Sequence, residues 1–180
     1  RNAPHILDRI TAINNLSNKK WRRIVEKALL DCIENDPFWG VRLEAVRGFA
    51  KLKSKKYAKE LIELSFEQDN RVRREIWKAL KNYEKDDMVI TFLEDIIRND
   101  QKYYSVSDAF RSLVSLDQKS AKSLVSLLLN RDSHNDVIRK SAISYFGKVK
   151  NDENYQRLIE LSAYGGTTWD CLLYTSDAAD

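Results

Sequence analysis

Few residues of this chain have the types and spacing that metal chemistry requires. The soft metal ligands ahead of residue 171 are His5, His134 and Cys32, and the two histidines lie far apart in the sequence. Zinc sites in proteins usually combine such residues at short spacings, as in a Cys-x-x-Cys pair or two histidines on one helix face. Neither arrangement occurs here, so we expect no metal ligand, no cofactor and no catalytic residue in this chain.

The carboxylate pairs Asp86-Asp87 and Glu94-Asp95 are the next candidates, because acid and base chemistry needs carboxyl groups that face one substrate. Adjacent residues of a helix point in different directions, so both pairs fit helix ends and helix surfaces better than a catalytic site. A glycine-rich phosphate-binding loop is absent, and Gly165-Gly166 fits a turn between helices.

Basic residues near two tryptophans raise the alternative of nucleic-acid binding. The chain has 31 Lys and Arg against 27 Asp and Glu, a formal net charge of +4 at pH 7. A basic stripe would comprise Lys51, Lys53, Lys55, Lys56, Arg71, Arg73, Arg74, Trp21 and Trp77. Such a stripe would attract phosphates, but lysines also favour helix C-termini and Trp77 falls in an apolar column. A structural role is therefore the better interpretation.

These residues must be positioned by helices, because the sequence repeats at the length of a helical hairpin. The run Leu-Ile-Glu-Leu-Ser occurs at 61–65 and again at 158–162, an offset of 97 residues. A second series has reference positions at steps of 33, 31, 34 and 32 residues, namely Arg9, Arg42, Arg73, Ser107 and Arg139. Periods of this length indicate stacked supersecondary units.

Each reference position lies in the same helical pattern. The residues one before, three after and seven after it are mostly apolar, as in Val41, Ala45 and Phe49. The residue five after it is polar, as in Arg47 or Ser112. The three apolar positions are separated by four and eight residues, which places them on one helix face. Each copy should therefore have a buried stripe and a solvent-facing one. Between these helices, others are predicted at 21–34, 56–67, 87–98, 120–130 and 154–163.

The predicted fold is all-α, a right-handed α-α superhelix of the HEAT or armadillo kind. Residues 1–170 should form about four helical hairpins with partial repeats at both ends. Residues 171–180 resemble a translated sequencing adaptor, so we expect a non-native tail there and exclude it from the fold. Both ends of the chain then look cut. Exposed apolar faces of the end helices should make the isolated chain only marginally soluble.

Three local features have structural interpretations. Asp36-Pro37 predicts a helix start, with the carboxylate at the cap and the proline ring in the first turn. Trp39 follows in the same loop, where a large aromatic ring can wedge between neighbouring hairpins. The arginines at the reference positions would pair with acidic residues of the adjacent copy, in a ladder that Ser107 interrupts.

Three segments carry a family resemblance. They are Leu7-Asp8-Arg9-Ile10-Thr11-Ala12, then Asp36-Pro37-Phe38-Trp39-Gly40-Val41-Arg42-Leu43-Glu44-Ala45, and Asp136-Val137-Ile138-Arg139 followed by Tyr164-Gly165. Together they resemble the C-terminal HEAT-like region of bacterial zinc aminopeptidases of the aminopeptidase N type, which are gluzincins. The resemblance covers essentially all of residues 1–170.

The resemblance implies a non-catalytic scaffold within a peptidase that removes N-terminal residues from peptides. In that family an H-E-x-x-H helix and a downstream Glu hold zinc, and a Gly-x-Met-Glu-Asn loop binds the substrate amine. Neither His5 nor His134 begins such a motif, and Met88 lies outside any such loop. Zinc is therefore implied only for a catalytic domain upstream in the same chain, which the helical region would contact.

Two other functions stay open, because one scaffold hosts many functions. The first is a free-standing HEAT-repeat module, with a protein or peptide partner on the concave face that the second helix of each hairpin would line. The second, less favoured, is a HEAT protein that binds nucleic acid. No apolar run approaches the roughly 18 residues of a membrane span, so a membrane partner is not expected. The compartment, cytoplasmic or periplasmic, stays open.

Overall fold

The computed structural model describes residues 5–17, 22–54, 56–66, 68–83 and 86–162, and every regular element within these ranges is helical. The ten α-helices there are α1 (Ile6–Leu16), α2 (Arg22–Asn35), α3 (Trp39–Lys51), α4 (Ala58–Phe66), α5 (Asn70–Leu80), α6 (Asp87–Asn99), α7 (Tyr103–Leu116), α8 (Gln118–Leu129), α9 (Val137–Lys148) and α10 (Asp152–Ser162). A short 3-10 turn, His134–Asp136, precedes α9. The predicted helices match these bounds to within two residues.

The first of two compact units ends at Leu93. Within it, α2 packs against α3 and α4 packs against α5, which makes two successive hairpins. The second helices of these hairpins also pack on each other, and α1 packs against α3. The helices α1, α3 and α5 therefore form one layer, and α2 and α4 form the other.

The second compact unit begins at Glu94, inside α6. Within it, α8 packs against both α7 and α9, α7 packs against α9, and α10 also packs against α9. Contacts thus join helices that are adjacent or one apart in the sequence. The prediction of an all-α chain of sequential helical hairpins is confirmed.

The apolar stripes predicted from the repeat are buried in four of the five copies. They comprise Val41, Ala45 and Phe49 in α3, Val72, Ile76 and Leu80 in α5, Val106, Phe110 and Val114 in α7, and Ile138, Ala142 and Phe146 in α9. Each larger side chain contributes about 1.5–3 kcal/mol when it leaves water. The core of each unit therefore consists of short rows of apolar side chains, each of which packs against a neighbouring helix.

The first copy departs from the predicted pattern. Asp8, Ala12 and Leu16 are exposed, whereas Ile13 and the C-terminal cap residue Ser17 are buried. The prediction that Asp8, Ala12 and Leu16 form a buried stripe is therefore wrong for α1. The reason is that α1 packs mainly against α3, so only the helix face turned towards α3 is covered.

Gly48 allows α1 to approach α3 closely. A Cβ atom at this position would overlap the Ser17 hydroxyl and press on the Ile13 side chain. The Ser17 hydroxyl is held in place because it donates a hydrogen bond to the carbonyl oxygen of Ile13, at 2.8 Å. The glycine is thus required by the packing of the two helices.

The predicted solvent-facing column also has an exception in α7. Arg47 of α3 is exposed, as predicted, but Ser112 at the equivalent position is only 3% exposed. The helix α7 is buried at residues 105–110 and 112–114, around most of its circumference. A position that faces water in α3 therefore faces protein in α7, where the small side chain of serine fits.

The start of α3 differs from the prediction. The helix begins at Trp39, its N-cap is Phe38, and no side chain caps it. Asp36 and Pro37 precede the cap, so the proline ring lies outside the first turn. The Asp36 carboxylate accepts a hydrogen bond from the Phe38 backbone N–H at 2.9 Å instead. Its role is therefore to shape the turn between α2 and α3.

Aspartates cap two other helices. Asp69 caps α5 by accepting from the Arg71 backbone N–H at 2.9 Å, and Asp117 caps α8 by accepting from Lys119 at 2.9 Å. Hydrogen bonds from the Arg71 side chain and backbone lower the pKa of Asp69 to about 2, from an ordinary 3.8. The carboxylate is thus held charged at the positive end of the helix dipole.

Replacing Asp69 by Ala should destabilise the chain by about 1 kcal/mol at neutral pH, because the first turn of α5 loses its cap. The pKa is lowered in the folded state, so this contribution is present above the unfolded pKa of 3.8 and fades as pH falls towards about 2. Urea unfolding at several pH values should show that the free energies of unfolding of the native chain and of Asp69→Ala converge in acid. Asp69→Asn, which keeps the acceptor, is the matched control, and a gap that persists unchanged in acid would contradict the account.

The helices α1 and α10 expose large apolar side chains. Leu7 is 75% exposed and Ile159 is 62% exposed, and Leu16 and Tyr155 are also exposed. The expectation of apolar faces on the end helices is confirmed, and marginal solubility stays a prediction. Association of these faces would bury them, so the associated fraction of the chain should rise with protein concentration.

Candidate functional site

Asp36 is the centre of a buried polar cluster that joins three helices. Its side chain is 2% exposed and accepts from Arg9 Nε at 2.8 Å and Arg9 Nη2 at 3.2 Å. The Asp36 carbonyl oxygen accepts from Arg42 Nη1 at 2.7 Å. The cluster therefore ties α1 to the turn between α2 and α3.

Three of the four reference arginines cap helix C-termini. Arg42 donates to the carbonyl that follows α2, as described, and Arg73 donates to the carbonyl oxygens of Ser65 and Gln68, at 3.2 and 3.3 Å, at the end of α4. Arg139 donates to the carbonyl oxygen of Leu129, the last residue of α8, at 3.1 Å. Carbonyl oxygens in the last turn of a helix, or just beyond it, have no donor within that helix, so a cation there satisfies both the hydrogen bond and the dipole.

The predicted ladder of arginine–carboxylate pairs is therefore wrong for Arg42, Arg73 and Arg139. It is right for Arg9, whose partner Asp36 belongs to the next copy. Sequence reasoning missed the capping role because a backbone carbonyl leaves no signature in the residue types. The signal that could have found it is an arginine that follows the end of the preceding helix by seven residues at Arg42 and Arg73, and by ten at Arg139.

Arg131 supplies the cap that Ser107 cannot. Ser107 stands where the other copies have arginine, and its short side chain is buried in α7. Arg131 donates from Nη1 to the carbonyl oxygen of Ile97 at 2.8 Å and from Nη2 to that of Asp100, at the end of α6. The end of α6 is thus capped from the following hairpin, and the break in the arginine series has a structural replacement.

Trp39 contacts the neighbouring hairpin, as predicted. The Arg71 guanidinium of α5 lies 3.4 Å from the centre of the Trp39 ring, and the Phe38 ring centre lies 5.5 Å from it. A cation over an indole ring is attracted by the negative charge of the ring face. Arg71 also bonds both carboxylate oxygens of Asp69. The position of Trp39 is explained by contact between repeats.

The proposed basic stripe does not form a continuous surface in the described part of the chain. Arg73 donates to backbone carbonyls, Arg71 pairs with Asp69, and Trp77 is only 1% exposed. Lys51 and Lys53 lie at the end of α3, where the helix dipole favours cations. Lys55 and Trp21 are outside the described residues. The structural interpretation of this stripe fits the contacts best.

The carboxylate pairs of the sequence lie at helix ends and on helix surfaces. Asp86 accepts from the backbone N–H groups of Met88 and Val89, at 3.1 and 3.2 Å, at the start of α6. Asp95 accepts from Asn99 Nδ2 at 2.6 Å within the same helix. These contacts agree with the predicted role. Residues 164–166 and 171–180 lie outside the described ranges.

The candidate metal ligands are not brought together. Among the residues that the structure describes, no group of three or more His, Cys, Asp or Glu side chains could hold a metal ion. His134 lies beside the Tyr103 ring, with centroids 6.3 Å apart, and His5 is exposed at the start of α1. Cys32 is half-buried in α2.

Cys32 should react slowly in the folded chain. Burial, and to a smaller extent the charge of Asp36, raises the pKa of its thiol to about 11 from an ordinary 9.0. The thiolate is the nucleophile, so the native thiol should react roughly 10- to 100-fold more slowly than the unfolded one at mildly alkaline pH. Iodoacetamide labelling of a Cys171→Ser variant, with and without urea, measures this ratio. Equal rates would contradict the burial of the thiol.

Comparison with known families accounts for the hairpins. The family model for HEAT repeats matches residues 26–114, from within α2 to the last turns of α7. Residues 26–114 are a HEAT-repeat region. The matched range contains the reference residues Arg42, Arg73 and Ser107 of the repeat. No curated protein matches the chain. None of the described helices, inside the HEAT-repeat region or beyond it, is both long and apolar enough to cross a membrane.

Among the described residues, two grooves bear on how the hairpins could bind a partner. One lies within the second unit between α8, α9 and α10, where Lys122 pairs with Glu153 at 3.0 Å and Arg157 pairs with Glu160 at 2.7 Å. The other lies between α2 and α4, inside the HEAT-repeat region. The charged side chains of the first groove form ion pairs with each other, whereas the charged side chains that line the second groove are acidic.

Proposed function

We propose that this chain is a non-catalytic scaffold that binds other proteins through the surfaces of its helical hairpins. The match of residues 26–114 to HEAT repeats is the observation that carries the proposal, because stacked hairpins present extended surfaces to partners. The hydrogen bonds of three polar side chains also support it. Asp36, Arg73 and Arg131 bond helix ends or side chains of neighbouring helices, so they stabilise the stack.

The test is capture of a partner followed by reconstitution. The tagged chain is used to retain proteins from extracts of its source cells at high salt, and each retained protein is then purified and mixed with the chain alone. A one-to-one complex that survives high salt supports the scaffold function. Binding of duplex DNA with a steep loss of affinity in salt, and no protein partner, would favour the nucleic-acid alternative instead.

We also propose a narrower origin for the scaffold, as the C-terminal part of a zinc aminopeptidase. Support comes from the resemblance of residues 7–12 and 36–45 to that family, and the family comparisons report HEAT repeats alone. The contacts of Asp36, Trp39 and Arg42 serve repeat packing, so the same residues would also suit a HEAT protein of another kind. An H-E-x-x-H motif in the reading frame upstream of Arg1 would support the peptidase. An initiator Met directly before Arg1 would reject it.

A further inference from the structure

We propose that the groove between α2 and α4 docks a basic segment of a partner protein, one with lysine or arginine side chains beside an apolar residue. The inference rests on the proposed scaffold function and names its surface and partner class. The groove has a volume of about 430 Å³, within the usual range for a binding pocket. It is lined by Leu30, Glu34, Glu60, Glu63, Leu64 and Gln68.

The charge of the groove is negative and largely uncompensated. Among the described residues, no Lys or Arg lines the groove and no cation pairs with Glu34 or Glu60. Lys59 lies 3.7 Å from Glu63, but both side chains are more than half exposed, so this pair contributes little. The whole chain has a net charge of +4, so the groove is an acidic exception on a basic protein. A basic segment would therefore be attracted by the charges of the groove and not by the net charge of the chain.

Gln68 is a second and independent indication of a ligand. Its side chain lines the groove and is only 9% exposed, and its Nε2 donates to the Ile33 carbonyl oxygen at 3.3 Å. The other end of the amide, Oε1, is buried and accepts no hydrogen bond from the described residues. An unsatisfied buried acceptor costs about 1–3 kcal/mol. A donor that enters the groove, such as an ammonium or guanidinium group, would remove this cost once the amide turns its oxygen towards it.

The shape of the groove favours a side chain with both apolar and cationic parts. Leu30 and Leu64 are half-buried and present apolar surface beside the glutamates. The stem of a lysine or arginine can lie on such a surface while its charged end meets a carboxylate. The helices leave room for it because α2 packs more closely against α3 than against α4. A bare metal ion does not fit, since the described carboxylates form no metal-holding group.

The experiment measures binding of a short fluorescein-labelled peptide of lysine and leucine in an amphipathic pattern, by fluorescence anisotropy. The test variant is Glu34→Gln/Glu60→Gln/Glu63→Gln. The matched control removes three exposed carboxylates from the second unit, as Asp132→Asn/Asp152→Asn/Glu160→Gln. Both variants change net charge equally, and circular dichroism confirms that each is folded. A peptide with glutamate in place of lysine completes the set.

We expect the lysine peptide to bind the native chain and the control variant alike, and the groove variant at least about tenfold more weakly, with affinity falling as salt rises. Equal binding by all three proteins, or preference for the glutamate peptide, would overturn the proposal. The scaffold function is judged separately by its own reconstituted partner. If that partner binds the groove variant as tightly as the native chain, the groove assignment fails and the scaffold function stands.

Discussion

Asp36→Ala should unfold the chain more readily than any other single polar substitution in the first unit, with a loss of about 3–5 kcal/mol in the free energy of unfolding. The substitution leaves the Arg9 guanidinium, whose side chain is 11% exposed, without its carboxylate. It also removes the acceptor of the Phe38 backbone N–H. Urea unfolding followed by far-ultraviolet circular dichroism measures the loss, and a change below 1 kcal/mol would contradict the buried pair.

Asp36→Asn and Arg9→Met separate the parts of this effect. The amide introduced by Asp36→Asn keeps an oxygen for the Phe38 N–H, so this variant should lose less stability than Asp36→Ala. The double variant Arg9→Met/Asp36→Asn removes both charges together, so its loss should be smaller than the sum of the single losses. Additive losses would mean that the two side chains do not interact. Since the Asp36 charge also raises the pKa of Cys32, Asp36→Asn should speed alkylation of that thiol.

Trp77→Ala should destabilise the first unit by about 3–5 kcal/mol, because it removes a large side chain that is only 1% exposed. Trp77→Phe should cost much less. It keeps most of the apolar volume and deletes an indole N–H that has no hydrogen-bond acceptor among the described residues. Chemical denaturation of the three proteins orders their stabilities.

Trp39→Ala is the matched control for Trp77→Ala, since it removes a half-buried indole that lies under the Arg71 guanidinium. Its loss should be nearer about 1 kcal/mol than about 3 kcal/mol. If unfolding shows two transitions, the one shifted by Trp77→Ala belongs to the unit that ends at Leu93. Equal losses for the two tryptophans would contradict their different burial.

The helices and their buried stripes were predictable because one residue in three or four must be apolar wherever a helix packs against another. Val72, Ile76 and Leu80 have this spacing in the sequence and are buried in the structure. The pattern failed where neighbours, and not residue type, decide exposure. Leu16 is apolar and exposed because α1 packs mainly against α3 among the described helices, and Ser112 is polar and buried because protein surrounds α7.

The candidate groove could not be predicted from the sequence. Glu34, Glu60 and Glu63 look like ordinary surface residues of two helices, and only the packing of α2 beside α4 places them around one cavity. The free oxygen of Gln68 is equally invisible, since a glutamine in a sequence does not reveal whether its amide is satisfied. The arginine caps were missed for the same reason, because their partners are backbone atoms.

The burial of α7 has a consequence for how the chain opens to solvent. Ser105, Ser107 and Ser112 are each 3% exposed or less. Their side chains are small, so the backbone of α7 is shielded from solvent by the helices packed against it. Amide protons in such a helix can exchange with solvent deuterium only when a large part of the unit opens, whereas those of α1 and α10 need only the fraying of one end. Slow exchange should therefore be concentrated in the interior, with protection falling towards both termini.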